Sequence, residues 1–421
     1  MTTTLLENCH IPPPQGVADE LSLSLTFFDI PWMHFHPIHR LLFYEFPCSK
    51  SHFVETIIPK LKESLTLTLK HYVPLAGNLL FPIDTENNKP IIRYVVGDSV
   101  SLKIVESTKD FDYLIGNHAR DADQFYDFIP QLPPVKVEIE YKKVPVLALQ
   151  VSLFPNRGIC VGFANHHVLG DASSIVGFIR TWASINILGE DKEFLIASSL
   201  PLFDRSVIKD PLGIDNIYWN VMKNKLKDLV LYKNRDLVQV SSFVVVTAYV
   251  WTCFVKSGEV VEDDEYFIFA VDCRARIDPI VPCNYFGNCL AYGMAKIGHR
   301  ELVENEGFVR AVKAIAEDIK NRVNNKDEVL KGAENWLSDL SKFFGVRAIG
   351  VSGSPKFDLY NVDFGWGSAR KMEVVSIDGE KYSMSLCKSR DHEGGLEVGL
   401  SLPKERMETF AAIFADGLRS A

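Results

Sequence analysis

Residues Val161 to Ser174 read VGFANHHVLGDASS: an apolar run, two adjacent histidines and, four positions after the second, Asp171. GICVGFAN (Gly158–Asn165) has the continuous apolar character of a buried strand, and VPVLALQVSLF (Val144–Phe154) before it reads the same way. PNRG, at their junction, has the proline, asparagine and glycine of a hairpin turn. From Ala172 onward ASSIVGFIRTWASIN has helical character, and Asp171 stands where an N-cap belongs. The stretch is therefore a strand-to-helix turn, with His166 and His167 just past the strand end.

Outward from this turn, strand-like and helix-like patterns mix without strict βαβ alternation, which predicts a mixed α/β fold. LSLSLTFFDI (Leu21–Ile30) alternates as a strand, and Phe53, Ile57, Leu61 and Leu65 mark a helix that YVPLAGN ends. GEDKEFLIASSLPLFDRSVIKDPLG (Gly189–Gly213) is charged, proline-punctuated and aperiodic. This predicts an N-terminal domain over residues 1–190, a crossover linker over 191–216 and a C-terminal domain over 217–421. In the second half SSFVVVTAYVWTCFV (Ser241–Val255) reads as a buried helix, and YFIFAVDCRARI and GNCLAYGMAKI as strands. Phe308, Val312, Ile315 and Ile319 mark an amphipathic helix, and KERMETFAAIFADGL closes the chain as another.

Composition narrows the chemistry. The 421 residues, 47% hydrophobic and 24% charged, suffice for two domains. A net charge of −9 with no basic cluster argues against a nucleic-acid partner. Eight scattered cysteines without a C-x-x-C pair read as free thiols of a reducing compartment. The amino terminus has no signal-like segment, and Phe243–Val255 is too short to span a bilayer, so a cytoplasmic protein without a membrane partner is expected. GVSGS (Gly350–Ser354) ends in serine where a nucleophile elbow needs glycine, and no strand clearly feeds it. Neither a dinucleotide fingerprint nor a P-loop is present. Adjacent residues at a strand end point to opposite faces, so His166 and His167 do not converge on a metal. What remains is a His-x-x-x-Asp at a turn, which by spacing alone reads either as a catalytic base with a supporting carboxylate or as a structural turn.

HHVLGD, taken with YNVDFGWG (Tyr360–Gly367), resembles the two signature motifs of the plant BAHD acyltransferases. PLAG (Pro74–Gly77), VDCRAR (Val271–Arg276), YFGNC (Tyr285–Cys289) and GGLEVGLSL (Gly394–Leu402) follow in that family's order, so the resemblance spans nearly the whole chain. NHHVLGDASS and YFGNC look most like the branch that malonylates flavonoid and phenolic glucosides. The resemblance implies two chloramphenicol-acetyltransferase-like domains with a channel between them. It implies a monomer that needs no metal or prosthetic group, with malonyl-CoA as co-substrate and a small glycosylated phenolic acceptor. His167 would be the general base.

Asp171 would turn from the cavity to pair with Arg274 or Arg276, and Asp363 of DFGWG, with Phe364 and Trp366, would be structural. Ser241 and Ser242 either lie on the coenzyme side or cap their helix. Asn288 either lines the acyl group or bridges strands. Arg180, nine positions after Asp171, emerges roughly opposite it on the helix and either meets the malonyl carboxylate or forms a surface ion pair. An acetyl- or hydroxycinnamoyl-CoA transferase of the same family, and a non-catalytic binding protein on the same fold, are the alternatives. The segment Val221–Val240 is shorter than the malonylating branch leads one to expect.

Overall fold

The structure, a computed structural model, describes residues 3–83, 88–189, 200–224, 241–323, 325, 328–336, 347–379 and 383–419. The linker expected over 191–216 lies outside the described residues up to position 199, as does most of the Val221–Val240 segment. The chain divides into two compact units, and both are mixed α/β.

The first unit comprises Met1–Ile208, Asn284–Asn288 and Lys356–Ser376. Its larger sheet has six strands, in the order Thr3–Ile11, Val100–Ser107, Leu147–Phe154, Gly158–Asn165, Ile38–Glu45 and Lys371–Val374. Only the second and third run parallel; the other neighbours are antiparallel. Leu147–Phe154 and Gly158–Asn165 are buried at every position, which is why both read as unbroken apolar runs. Their hairpin turns at Asn156, whose φ of 57° is one that asparagine tolerates. Phe43 joins Phe111, Phe128 and Phe154 in a core on one face of the sheet. On the other face Tyr44 meets Phe364 and Trp366 edge-on at 5.9 and 5.3 Å. The Ala172–Leu188 helix joins that layer through Trp182, 5.0 Å from Phe364, and through Asn186 Nδ2, which donates to Phe364 O at 2.7 Å. A second, five-stranded antiparallel sheet completes the unit.

Two sequence expectations need correction here. Division by chain position put DFGWG in the C-terminal domain, but Lys371–Val374 is the edge strand beside Ile38–Glu45, and the turn preceding it folds with the N-terminal unit. The strand expected over Leu21–Ile30 spans only Glu20–Ser24. At Thr26 the chain turns, because Asp29 Oδ2 accepts from Thr26 N and Oγ1, both at 2.9 Å, and Pro31 then starts the 3-10 helix Ile30–His34.

The second unit comprises Lys209–Cys283, Cys289–Pro355 and Ile377–Ala421. Its five-stranded sheet runs Leu290–Gly298, Asp264–Asp272, Arg347–Ser352, Ser383–Lys388 and Leu396–Leu400. The Ser242–Lys256 helix buries Trp251 against Phe267 of that sheet at 5.5 Å. Tyr249 of the same helix donates from its hydroxyl to Phe414 O, which ties in the Lys404–Arg419 helix. Contrary to expectation, a strand does feed GVSGS, since Arg347–Ser352 leads into it. Among the described residues, no helix is long and apolar enough to cross a membrane.

Candidate active site

The Gly158–Asn165 strand delivers the two histidines, and the turn assigns them different positions. His166 N donates to Val146 O at 2.9 Å, and its buried ring accepts Val168 N on Nδ1 at 3.2 Å. His166 thus caps the turn. His167 begins the short 3-10 helix His167–Leu169 and keeps part of its ring in reach of solvent. Asp171 is buried at the N-cap of Ala172–Leu188, with Oδ1 accepting Ser174 N at 3.2 Å.

Residues remote in sequence hold this turn from the other side. Ser174 Oγ accepts Gly287 N at 3.0 Å. Gly287 has φ 155°, a backbone conformation that favours glycine, and a Cβ there would lie 2.0 Å from Arg205 Nη1. Next to it Asn288 is fully buried, and its Nδ2 donates to His167 O and to Asp29 Oδ1, both at 3.0 Å. Asn288 N adds a 3.1 Å bond to the same Asp29 oxygen. Asp29 is also fully buried, and the Arg205 guanidinium stands 3.9 Å from its Oδ2. Arg205 Nη1 itself donates to Phe286 O at 2.8 Å. The amide hydrogens of Asn288 are thus taken by Asp29 and by the main chain of His167, and its Oδ1 has no hydrogen-bond partner among the described residues.

The imidazole of His167 is packed by aromatic rings. Trp32 stacks on it with centroids 3.8 Å apart and planes 9° from parallel. Phe35 meets it edge-on at 5.6 Å and 82°. Nδ1 is buried and has no hydrogen-bond partner among the described residues, which leaves Nε2 as the nitrogen a substrate can reach. Burial pushes the His167 pKa down to about 4, its own main-chain carbonyl and the Asn288 side chain oppose this, and the positive charge of Arg40 and the neighbouring His166 reinforce it. At neutral pH the ring is uncharged.

The remaining candidates lie as follows. Arg180 is exposed on its helix, on the stripe shared with Ser173 and Gly177, and its Nη2 donates to Asp358 O at 2.9 Å. Asp363 Oδ1 accepts Gly365, Trp366 and Gly367 N at 2.7 to 2.9 Å and so folds the DFGWG turn on itself. In the second unit Ser241 is the N-cap of Ser242–Lys256, accepting Val244 N at 3.5 Å, and Ser242 is exposed in the first turn. Arg274 is buried with Nη1 3.2 Å from Asp272 Oδ1, while Arg276 donates from Nη1 to Asp272 O at 2.7 Å and from Nε to Val323 O at 3.2 Å. Among the described residues no group of three or more His, Cys, Asp and Glu side chains is placed to hold a metal ion.

Sequence reasoning missed Asp29, Trp32, Phe35 and Arg205. The signal for the first three was the Ile30–Pro31 step, which interrupts the strand-like alternation and marks a turn. Nothing in the sequence links that turn to the histidines some 135 residues later or to Asn288.

Comparison with known proteins fits this arrangement. The sequence profile of the Transferase family matches residues 1–216 and 215–416. A malonyl-coenzyme:anthocyanin 5-O-glucoside-6'''-O-malonyltransferase of Salvia splendens is 51% identical over 447 aligned positions, covering 100% of this chain and 96% of that one. The alignment is longer than the 421-residue chain, so the relative carries residues that this chain lacks. Phenolic glucoside malonyltransferase 1 of Nicotiana tabacum is 46% identical, covering 99% of each chain. The crystal structure of vinorine synthase superposes with a TM-score of 0.69 over 97% of this chain and 96% of that one at 18% identity, so the fold is shared. The motifs, the mixed α/β fold and full-length identity to named malonyltransferases agree: this chain belongs to the Transferase family, the BAHD acyltransferases, and is a coenzyme A-dependent acyltransferase most like the malonyl-CoA glucoside malonyltransferases.

Proposed function

We propose that the protein transfers a malonyl group from malonyl-CoA to a sugar hydroxyl of a phenolic or flavonoid glucoside, with His167 as general base and both substrates bound together. The observation that carries the substrate class is the identity to glucoside malonyltransferases over essentially the whole chain. A neutral imidazole with a reachable Nε2 at the turn after a strand supports the mechanism.

The sugar hydroxyl gives its proton to His167 Nε2 as its oxygen bonds to the thioester carbonyl carbon. The tetrahedral intermediate then collapses, the carbon–sulfur bond breaks, and the imidazolium returns the proton to the departing coenzyme A thiolate. The step balances without a metal or redox group, and no acyl-enzyme forms. General-base assistance of this kind contributes roughly 10²–10⁴-fold, and binding both substrates together adds a proximity effect. Asp171 fixes the helix behind His167, while Asn288 and Asp29 fix its main chain.

Arg180 is read as the partner of the malonyl carboxylate. It is cationic and exposed, and lies about 10 Å along the helix from Ser173, on the stripe that leads away from the His167 turn. Ser241 and Ser242, at a helix amino terminus, are read as coenzyme-side contacts. We read the protein as a cytoplasmic monomer; all eight cysteines are free thiols, in keeping with a reducing compartment.

The test incubates the protein with malonyl-, acetyl- and p-coumaroyl-CoA and a panel of phenolic glucosides, with products read by mass. A product heavier than its glucoside by one malonyl group is expected, and His167→Ala should reduce its formation by roughly 10²–10⁴-fold without unfolding the chain. Transfer from acetyl- or coumaroyl-CoA alone would replace the donor assignment, and no transfer from any donor would overturn the activity.

A further inference from the structure

We propose that Trp32 is a positioning residue for acyl transfer: its indole plane, with the edge of Phe35, holds the His167 ring in the place of the carboxylate that orients the base in Ser-His-Asp enzymes. The inference rests on the reading of His167 as the general base.

A histidine that abstracts a proton through one nitrogen is usually held by a hydrogen bond at the other, which sets both the tautomer and the ring plane. His167 lacks that device. Nδ1 is buried without a hydrogen-bond partner among the described residues, and the nearby carboxylate of the motif, Asp171, caps a helix through Oδ1. Asn288 Nδ2 donates to the main chain at His167 O, and the Asn288 side chain and the residue's own carbonyl also act on the ring, both raising its pKa. The main-chain bond locates Cα, and no hydrogen bond among the described residues is made at Nδ1 to set the ring plane. What restricts the ring plane is packing: Trp32 lies 3.8 Å away and 9° from parallel, and Phe35 closes at 5.6 Å and 82°. Trp32 and Phe35 also brace each other at 5.1 Å and 81°.

This aromatic clamp is itself anchored. Trp32 N donates to Asp29 O at 3.1 Å, and the Asp29 side chain is the one that Asn288 ties to His167 O. A single turn, Thr26–Phe35, therefore sets the backbone of the base through Asp29 and its ring through Trp32. The stack has a second consequence. When His167 takes the hydroxyl proton, the charge develops on a ring lying flat against an indole face, which is the favoured geometry for a cation over an aromatic system. The cationic Arg40 and the neighbouring His166 disfavour that charge, and the indole face counteracts them.

The experiment compares Trp32→Leu and Trp32→Phe with the wild type and with His167→Ala. Coenzyme A release from malonyl-CoA is measured with p-nitrophenyl glucoside, or whichever phenolic glucoside is turned over fastest. Trp32 is only partly buried, and the thermal melting of each variant checks that it folds. Trp32→Leu keeps bulk but loses the flat face, and kcat should fall on the order of 10- to 10²-fold, the effect of misplacing a reacting group by about 1 Å, with KM for malonyl-CoA nearly unchanged. Trp32→Phe should recover most of the loss. The acid limb of kcat/KM should move to higher pH in Trp32→Leu, because burial is the largest cause of the lowered pKa and the water that reaches the ring outweighs the lost indole face.

Wild-type kcat with an unmoved acid limb in Trp32→Leu, in a preparation where His167→Ala is inactive, would overturn the positioning role and leave the base assignment standing. A loss confined to KM would overturn it too, making Trp32 a substrate contact. Full activity in His167→Ala would instead remove the general-base reading. If Trp32→Leu does not fold, Trp32→Phe decides: kcat and acid limb close to wild type support the clamp, and a loss as deep as that of His167→Ala refutes it.

Discussion

Replacing Asp29 should damage both stability and catalysis, although the residue touches no substrate. Its carboxylate accepts Thr26 N, Thr26 Oγ1, Asn288 N and Asn288 Nδ2 at 2.9 to 3.1 Å, in a site with no exposure, and it faces the Arg205 guanidinium at 3.9 Å. In Asp29→Ala, Thr26 Oγ1 can rotate and Asn288 Nδ2 retains His167 O, so two main-chain N–H groups are orphaned for certain. At about 1–3 kcal/mol each, the loss is about 2–6 kcal/mol before the unneutralised Arg205 is counted. That is a large part of the ~5–15 kcal/mol typical of a folded domain. In Asp29→Asn, Oδ1 keeps both Asn288 donors and the amide can donate to the Thr26 hydroxyl. Only Thr26 N is orphaned, and the loss should be about 1–3 kcal/mol. Urea titrations followed by far-UV circular dichroism should rank wild type above Asp29→Asn above Asp29→Ala. Because Asn288 keeps its bond to His167 O but loses the carboxylate that fixes its own position, kcat should fall roughly tenfold or more in the folded fraction of Asp29→Ala. An unchanged urea midpoint in Asp29→Ala would refute the reasoning.

The His167 pKa of about 4, against an ordinary value of about 6.5, means that the folded chain binds fewer protons than the unfolded one between these values. Stability should therefore rise with pH from about 4 to 6.5, and on going from pH 7 to 4 the wild type should lose at most about 3 kcal/mol more than His167→Gln; superimposable stability curves would contradict this. For the same reason the acid limb of kcat/KM should lie near pH 4, and a limb at 6.5 or above would show a solvated base. Asp171→Ala should cost about 0.5–2 kcal/mol through the lost N-cap, with Asp171→Asn milder because asparagine caps equally well; equal losses in urea denaturation would show that the carboxylate has another task. Arg180→Ala should raise KM for malonyl-CoA by roughly 10- to 10²-fold and leave acetyl-CoA unaffected, since only malonyl carries a carboxylate to pair. Equal changes for both donors would confine Arg180 to its bond with Asp358 O.

Features determined by near neighbours along the chain were legible in the sequence. The hairpin at Asn156, the turn carrying His166 and His167, the Asp171 cap and the buried Ser242–Lys256 helix each follow from spacing and turn chemistry within a few residues. The paired motifs carried the family, because their order and composition are properties of the linear chain. Legibility failed wherever a residue acts through distant partners. Asp29 ended an apparently regular strand pattern, and its role appears only when Asn288 is brought to within 3.1 Å across 259 positions of sequence. The Lys371–Val374 strand looked like part of the second half of the chain until pairing with Ile38–Glu45 carried DFGWG into the first unit. Which nitrogen of His167 is buried, which ring covers it and how far its pKa falls were likewise decided by tertiary structure. Hydrophobic period and capping report a residue's neighbours within about a turn or a strand, whereas desolvation, ring stacking and long-range hydrogen bonds depend on which segments pack against it.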